Sequence, residues 1–381
     1  MSVERLRQLT ADTSFDLARE QAQTLLAAPP GDRAQALALA KACDDLALAL
    51  SDHGRRDDAI QVLEQTTAAI PADVTAWLWL SFELRDHRQA LPAALEVMRR
   101  AALARPDSPK IHAELALVLG LLERHGEALE AQREVVRLAP SDVDARRQLA
   151  WYFAKQKRWG EAMAQVREAC RLRPGDVQSW KRRAEYGHQA GERREALEAA
   201  LKVFELAPGT TDSFDFVVTI AVWVGELQVA LDWAKRWLAA HPDDVEAHSM
   251  RSYAAWFAHD VATLSDAARA LDRLQPGSLK ADAAALSLAI LDERWDDAQH
   301  QLERTLQHDG LYCRIFALRA AVLAHTGRRA EARAVLAGRG PAEFAICDDA
   351  SCPNNRHLAQ LLAALPDDEA RPGPVLYPSL G

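Results

Sequence analysis

Several things this chain lacks narrow what it does. None of the sequences G-x-x-x-x-G-K-S/T, G-x-S-x-G, H-E-x-x-H or G-x-G-x-x-G occurs, so the common phosphate-cradling, nucleophile-elbow, zinc-protease and dinucleotide signatures are missing. Paired carboxylates do occur, at Asp57–Asp58, Asp243–Asp244 and Asp296–Asp297. They fall at predicted helix starts, where negative charge favours the helix dipole, and read as caps rather than acid–base pairs. No constellation for acid–base or nucleophilic chemistry assembles, so the expected protein is not an enzyme and takes no cofactor.

Long apolar runs are also missing. The longest, Phe216 to Gly225, spans ten residues, too few for a membrane span. Met1 to Asp16 holds no apolar stretch of signal-peptide length, and the expected location is cytoplasmic. The five cysteines, Cys43, Cys170, Cys313, Cys347 and Cys352, are odd in number and scattered, which is no disulfide framework and suits a reducing compartment. Aromatics are 6% of 381 residues and the net charge is −9, an acidity that argues against nucleic acid as partner.

What is present is a period. Prolines stand at 71, 106, 140, 174, 208, 242 and 276, at spacings of 35, 34, 34, 34, 34 and 34. Gly310 falls where the next would be. Two residues after each proline comes Asp73, Ser108, Asp142, Asp176, Thr210, Asp244 or Ser278. Proline ends one helix, and the short polar side chain caps the next. Alanine recurs at 59, 94, 128, 162, 196, 230, 298 and 332, with only Leu264 breaking the series, as expected where two helices cross closely. Gly54, Gly126, Gly191 and Gly327 suit the turn between the helices of a hairpin. Strand signals are absent, and a fixed period of this length points to a solenoid of helical hairpins.

These registers resemble the tetratricopeptide repeat (TPR) family, which also places a large residue early in the first helix. Trp77, Trp180, Phe214 and Phe316 stand there, while Cys43, His112, Arg146, His248 and Asp282 depart from it. The resemblance implies an all-α, right-handed superhelical solenoid of about nine hairpins with capping helices at both ends. The expected division is N-terminal caps over 1–36, the solenoid over 37–340, a C-terminal cap over 341–366 and a Pro-rich tail over 367–381, with one residue inserted near Pro92.

In this family the concave groove holds an extended peptide or a partner's helix. Positions 2, 5, 9 and 12 of each first helix fall on one stripe and should face it. The third unit offers Lys110, Ala113, Leu117 and Gly120, a bland lining. The middle units are richer, and the expected partner-binding residues are Arg147, Trp151, Lys181, Glu185, His188, Asp215, Tyr253 and Trp256. Trp151 and Trp256 read equally well as core. Between Val143 and Ala207 there are 14 Lys or Arg against 9 Asp or Glu, and between Pro208 and Asp309 there are 8 against 17. That asymmetry makes an acidic segment the expected partner near residues 143–207, although solvated convex faces and inter-helix ion pairs also absorb arginines. A Lys–Asn carboxylate clamp of the TPR type is not met, since Asp44 and Leu48 occupy the opening positions.

Two further readings remain. Cys347, Cys352 and His357 have C-x4-C-x4-H spacing, short of a four-ligand zinc site and open to an oxidation-sensitive pair or an ordinary loop. The expected function is a non-catalytic scaffold or adaptor for protein or peptide partners. The alternative is a substrate-recognition subunit of a modifying enzyme whose catalytic chain is separate.

Overall fold

The computed structural model describes residues 2–87, 89–308 and 313–336. Among these every regular element is a helix, and the chain divides into two compact units, Met1–Pro174 and Gly175–Gly381. The first holds α1 (Val3–Ala11), α2 (Phe15–Ala27), α3 (Arg33–Asp52), α4 (Arg56–Ala69), α5 (Val74–Phe82), α6 (Leu91–Ala104), α7 (Pro109–Leu121), α8 (His125–Leu138), α9 (Val143–Lys155) and α10 (Trp159–Leu172). The second holds α11 (Val177–Gln189), α12 (Arg193–Leu206), α13 (Thr211–Val224), α14 (Leu227–Ala240), α15 (Val245–Phe257), α16 (Val261–Leu274), α17 (Leu279–Leu291), α18 (Trp295–Thr305), α19 (Cys313–His325) and α20 (Arg329–Leu336). Within each unit, consecutive helices pack as antiparallel pairs. From α3 to α20 these are the nine expected hairpins. The expected C-terminal cap and tail, and the Cys347, Cys352 and His357 set, lie outside the described residues.

The proline register does what its chemistry requires. Each second helix from α4 to α16 ends two residues before its proline. The intervening residue is held near φ −132° to −141° and ψ 63° to 82°, from Ile70 to Gln275, because the proline ring disfavours helical backbone before it. The side chains of Asp73, Asp142, Asp176, Thr210, Asp244 and Ser278 then accept backbone N–H groups of the following helix. Ser108 holds the cap position without that bond. Its helix opens on Pro109, which has no N–H to satisfy.

All eight alanines of the crossing register, and Leu264, are fully buried. At one crossing the opposing residue is identified: a Cβ added to Gly187 would sit 3.4 Å from the Ala196 backbone.

The position early in the first helix is chosen for more than bulk. Trp77 Nε1 donates to the Pro71 carbonyl at 3.1 Å, and Arg146 Nε donates to that of Pro140 at 2.9 Å. His112 and His248 Nε2 lie 3.0 and 2.9 Å from the carbonyls of Pro106 and Pro242. Three residues that depart from the large-residue pattern thus perform the task of the tryptophan, tying a helix to the proline six residues before it.

Each hairpin turns through one left-handed residue: Gly54, Gln89, Glu123, Lys157, Gly191, Gly225, His259, Glu293 and Gly327. Gly126 is not among them. It lies inside α8, and Glu123 (φ 58°) makes that turn. The Lys157 turn closes with Lys157 N–H on the Ala154 carbonyl at 2.9 Å and Arg158 N–H on that of Phe153 at 3.0 Å. A side-chain-bearing residue is strained there by about 1–2 kcal/mol. Lys157→Gly is therefore expected to stabilise the first unit by about 0.5–1 kcal/mol, net of the freedom glycine gains when unfolded, read as a rise in the thermal midpoint. A fall would contradict this account.

The extra residue of the second hairpin lies a few residues before Pro92, within Leu84–Ala90. Pro92 opens α6, where a missing N–H costs nothing. The insertion is taken up as a π-helical turn over Glu83–His87. The closing bond there runs from Ala90 N–H to the Leu84 carbonyl, a six-residue span, where the other hairpins span five.

Candidate functional site

In the first unit, the ninth position of successive first helices carries Leu48, Phe82, Leu117 and Trp151. The first three are 42%, 41% and 43% exposed, and Trp151 is half-buried. Large apolar side chains left open at one register of adjacent helices form a patch, not scattered exposure. Two cavities deepen it. One, of about 670 Å³, is lined by Val74, Leu78, Trp79 and Phe82 on α5 and by the chain from Arg105 to Lys110. The other, of about 450 Å³, runs between α7 and α9 past Ala113, Leu117, Gln148 and Tyr152. Leu78 and Lys110 line both, so the cavities lie side by side.

Polar groups along the groove are mostly satisfied. Arg85, leaving the π-turn, pairs with Glu114, which also accepts Ser81 Oγ at 2.9 Å. Arg85 lies 5.7 Å over the Phe82 ring, and Trp79 meets that ring edge-on at 5.7 Å. Glu83 is buried and accepts Ser51 Oγ at 2.7 Å. Asp107 pairs with Arg105 at 3.0 Å, and Asp144 with Arg147. Asp44, one turn before Leu48, is buried beside Asp73. Burial, with the Asp73 charge second, pushes its carboxyl up to about 8.

The second unit treats the same stripe differently. At position 12, His188, Val222, Trp256 and Ile290 are all buried. Trp256, expected in the groove, is 2% exposed and belongs to the core with Phe214, Trp237 and Phe257, so the core reading holds for it. His188 packs on Trp223 at 5.1 Å. The apolar α13 contributes one face to the Phe214 cluster and another, through Val217, Ile220 and Val224, to a second cluster. Its apolar character is consumed by neighbouring helices of its own chain.

The other expected residues of that unit stay partly open. Lys181 Nζ lies 5.7 Å over Phe216, Glu185 pairs with Arg182 at 2.8 Å, and Tyr253 meets Phe257 edge-on at 5.1 Å. Asp215 is pushed up to about 7, first by burial and then by Glu246, Asp244 and Asp212. Arginines of residues 143–207 largely pair within their own helices, as in Arg158–Glu161, Arg171–Glu168 and Arg194–Glu198. That leaves less free positive charge than the count suggests.

Residues 45–109, 81–143 and 114–177 match the sequence profile of the tetratricopeptide repeat. Residues 45–177 carry tetratricopeptide repeats. Solved structures that resemble it include the C-terminal part of a TPR repeat-containing protein from Cytophaga hutchinsonii, at 14% identity and TM-score 0.47 over 74% of this chain and 99% of that one. Another is YrrB, titled a TPR protein with an unusual peptide-binding site, at 20% identity and TM-score 0.39 over 46% and 89%. A third is PilF of Pseudomonas aeruginosa, at 20% identity and TM-score 0.38 over 54% and 93%. No curated protein matches the chain in sequence.

Among the described residues, the large apolar side chains left exposed lie in the first unit, and Leu117 of the third repeat, whose lining reads as bland in sequence, is one of them. Leu117 is the centre of that stripe. Reading position 9 through the first two repeats as well would have brought Leu48 and Phe82 beside it. Of the expected residues, Arg147 and Trp151 flank this groove. Trp151 meets Tyr152 edge-on at 4.9 Å with Lys155 Nζ 5.2 Å from its ring. Among the described residues no group of three His, Cys, Asp or Glu side chains is placed to hold a metal, and no helix is long and apolar enough to cross a membrane.

Proposed function

We propose that this chain is a non-catalytic TPR scaffold that holds a protein partner on the concave stripe of its first unit, with Leu48, Phe82 and Leu117 as the contact floor and Arg147 and Trp151 at its edge. The observation that carries the reading is the open apolar register itself. Burying a fully exposed leucine is worth about 1.5–3 kcal/mol, so three apolar side chains left partly open at one register offer surface that a partner gains by covering. Lys181, Glu185, Asp215 and Tyr253 supply a second, more polar surface in the other unit. His188 and Trp256 contribute to its packing rather than to contact.

The test compares wild type with Leu117→Glu as baits for lysate proteins, read by mass spectrometry, with Arg194→Glu on an exposed helix face as control. A protein kept by wild type and by the control but lost from Leu117→Glu supports the reading. Equal capture by all three overturns it.

A further inference from the structure

The 670 Å³ cavity of the first unit reaches the start of α7, whose cap differs from the others. Asp73, Asp142, Asp176, Thr210, Asp244 and Ser278 each accept the N–H of the third helical residue, at 3.1–3.3 Å. Ser108 accepts none. It is 6% exposed, lines the cavity, and its hydroxyl has no partner among the described residues. The backbone N–H groups of Lys110 and Ile111 likewise meet no acceptor there, and Ile111 is fully buried. A buried N–H without an acceptor costs free energy. The α7 dipole adds partial positive charge at the same place, which favours an anion.

The side chains at this end set how much charge the anion carries. Arg105 lines the cavity, but it is held by Asp107 at 3.0 Å and by the Ala72 carbonyl. Asp107 lines the cavity too, so the pair adds little net charge. Lys110 is exposed and has no ion-pair partner among the described residues. One free ammonium and a helix N-terminus balance a single negative charge. A dianion such as a phosphate monoester would face the Asp107 carboxylate with part of its charge unanswered.

The opposite wall is Val74, Leu78, Trp79 and Phe82 of α5, to which that helix adds Thr75 as its one polar side chain. A peptide carries an amide at every residue, and on that wall the amides would lose water without gaining partners. An aromatic hydrocarbon gains from the same burial, and the volume is that of a small-molecule site.

We propose that this cavity binds a small carboxylic acid with an aromatic body, its carboxylate at Ser108, Lys110 and the start of α7 and its body against Trp79 and Phe82. The inference goes beyond the scaffold reading and does not depend on it. Partner capture can fail while the acid binds, and the reverse.

The experiment titrates the full chain with 2-naphthylacetate by isothermal titration calorimetry. The neutral 2-naphthylacetamide and the dianionic 2-naphthylmethyl phosphate are the comparisons. The acid should bind about tenfold tighter than the amide. Lys110→Met should remove most of that difference while leaving amide affinity within about twofold. Ser108→Asp supplies a carboxylate from the chain itself, as Asp73, Asp142, Asp176 and Asp244 do at their helices. It should raise the thermal midpoint and abolish the preference for the acid, so that lost binding is not the mark of a damaged fold. Amide binding equal to that of the acid overturns the anion site and leaves an apolar cavity. Phosphate binding tighter than the acid overturns the single negative charge. Acid binding unchanged in Ser108→Asp overturns the placement at α7. No binding of any of the three up to about 5 mM overturns the site altogether.

Discussion

Replacing Ala162 by leucine is expected to be the most damaging single change in the first unit. Ala162 is fully buried on α10, at the register where alanine recurs through the hairpins. Three added carbons have no void to enter and must push α10 away from α9, with cost on the order of 3 kcal/mol. For a unit of this size that lowers the thermal midpoint by roughly 6–12 °C, followed by far-UV circular dichroism. Ala164 lies on the same helix and is exposed. Ala164→Leu makes the same chemical change without the crossing and should leave the midpoint within about 2 °C. Equal effects of the two would remove the crossing as the explanation.

The second large effect is a dependence on pH. An unfolded Asp44 loses its proton near the ordinary value of 3.8, whereas in the fold burial and the neighbouring Asp73 raise this to about 8. Between those values the folded state holds a proton that the unfolded state has released. Stability therefore falls as pH rises from about 4 to about 8 and changes no further on this account above it. Asp44→Asn keeps an uncharged side chain of the same shape and removes the linkage. At pH 8 the variant should unfold about 5 °C or more above wild type, with the gap closing toward pH 4. A gap that stayed constant across this range would exclude Asp44 as the titrating group.

What could be read from the sequence follows from how local each device is. A proline, the displaced residue before it and the cap after it interact within a few residues, so the 34-residue period announced the hairpins. The crossing alanines were legible because contact distance forbids anything larger. The donors at 77, 112, 146 and 248 were not. They are alike only in reaching the same carbonyl, which unites tryptophan, histidine and arginine under no compositional heading. Trp256 was ambiguous because groove and core registers differ by one residue on a helix, and the neighbouring first helices of its unit decide between them. The openness around Leu117 depends on the small Ala113 beside it, a residue that looks featureless in a sequence for the reason that it leaves space, while the room over Gly120 is taken by Tyr152. The form the extra residue takes was hidden because a π-turn has no sequence mark of its own.

That π-turn has a consequence for recognition. A regular array is a ruler with identical graduations, and a ligand that fits one interval fits the next, so it can bind in several alignments of similar energy. Over Glu83–His87 the ruler has a phase slip of one residue. It lies beside Phe82, with Arg85 thrown across to Glu114 where the neighbouring repeats present Ser51 and Gly120. The slip makes this interval unlike every other in the first unit, and a partner shaped to it has one address.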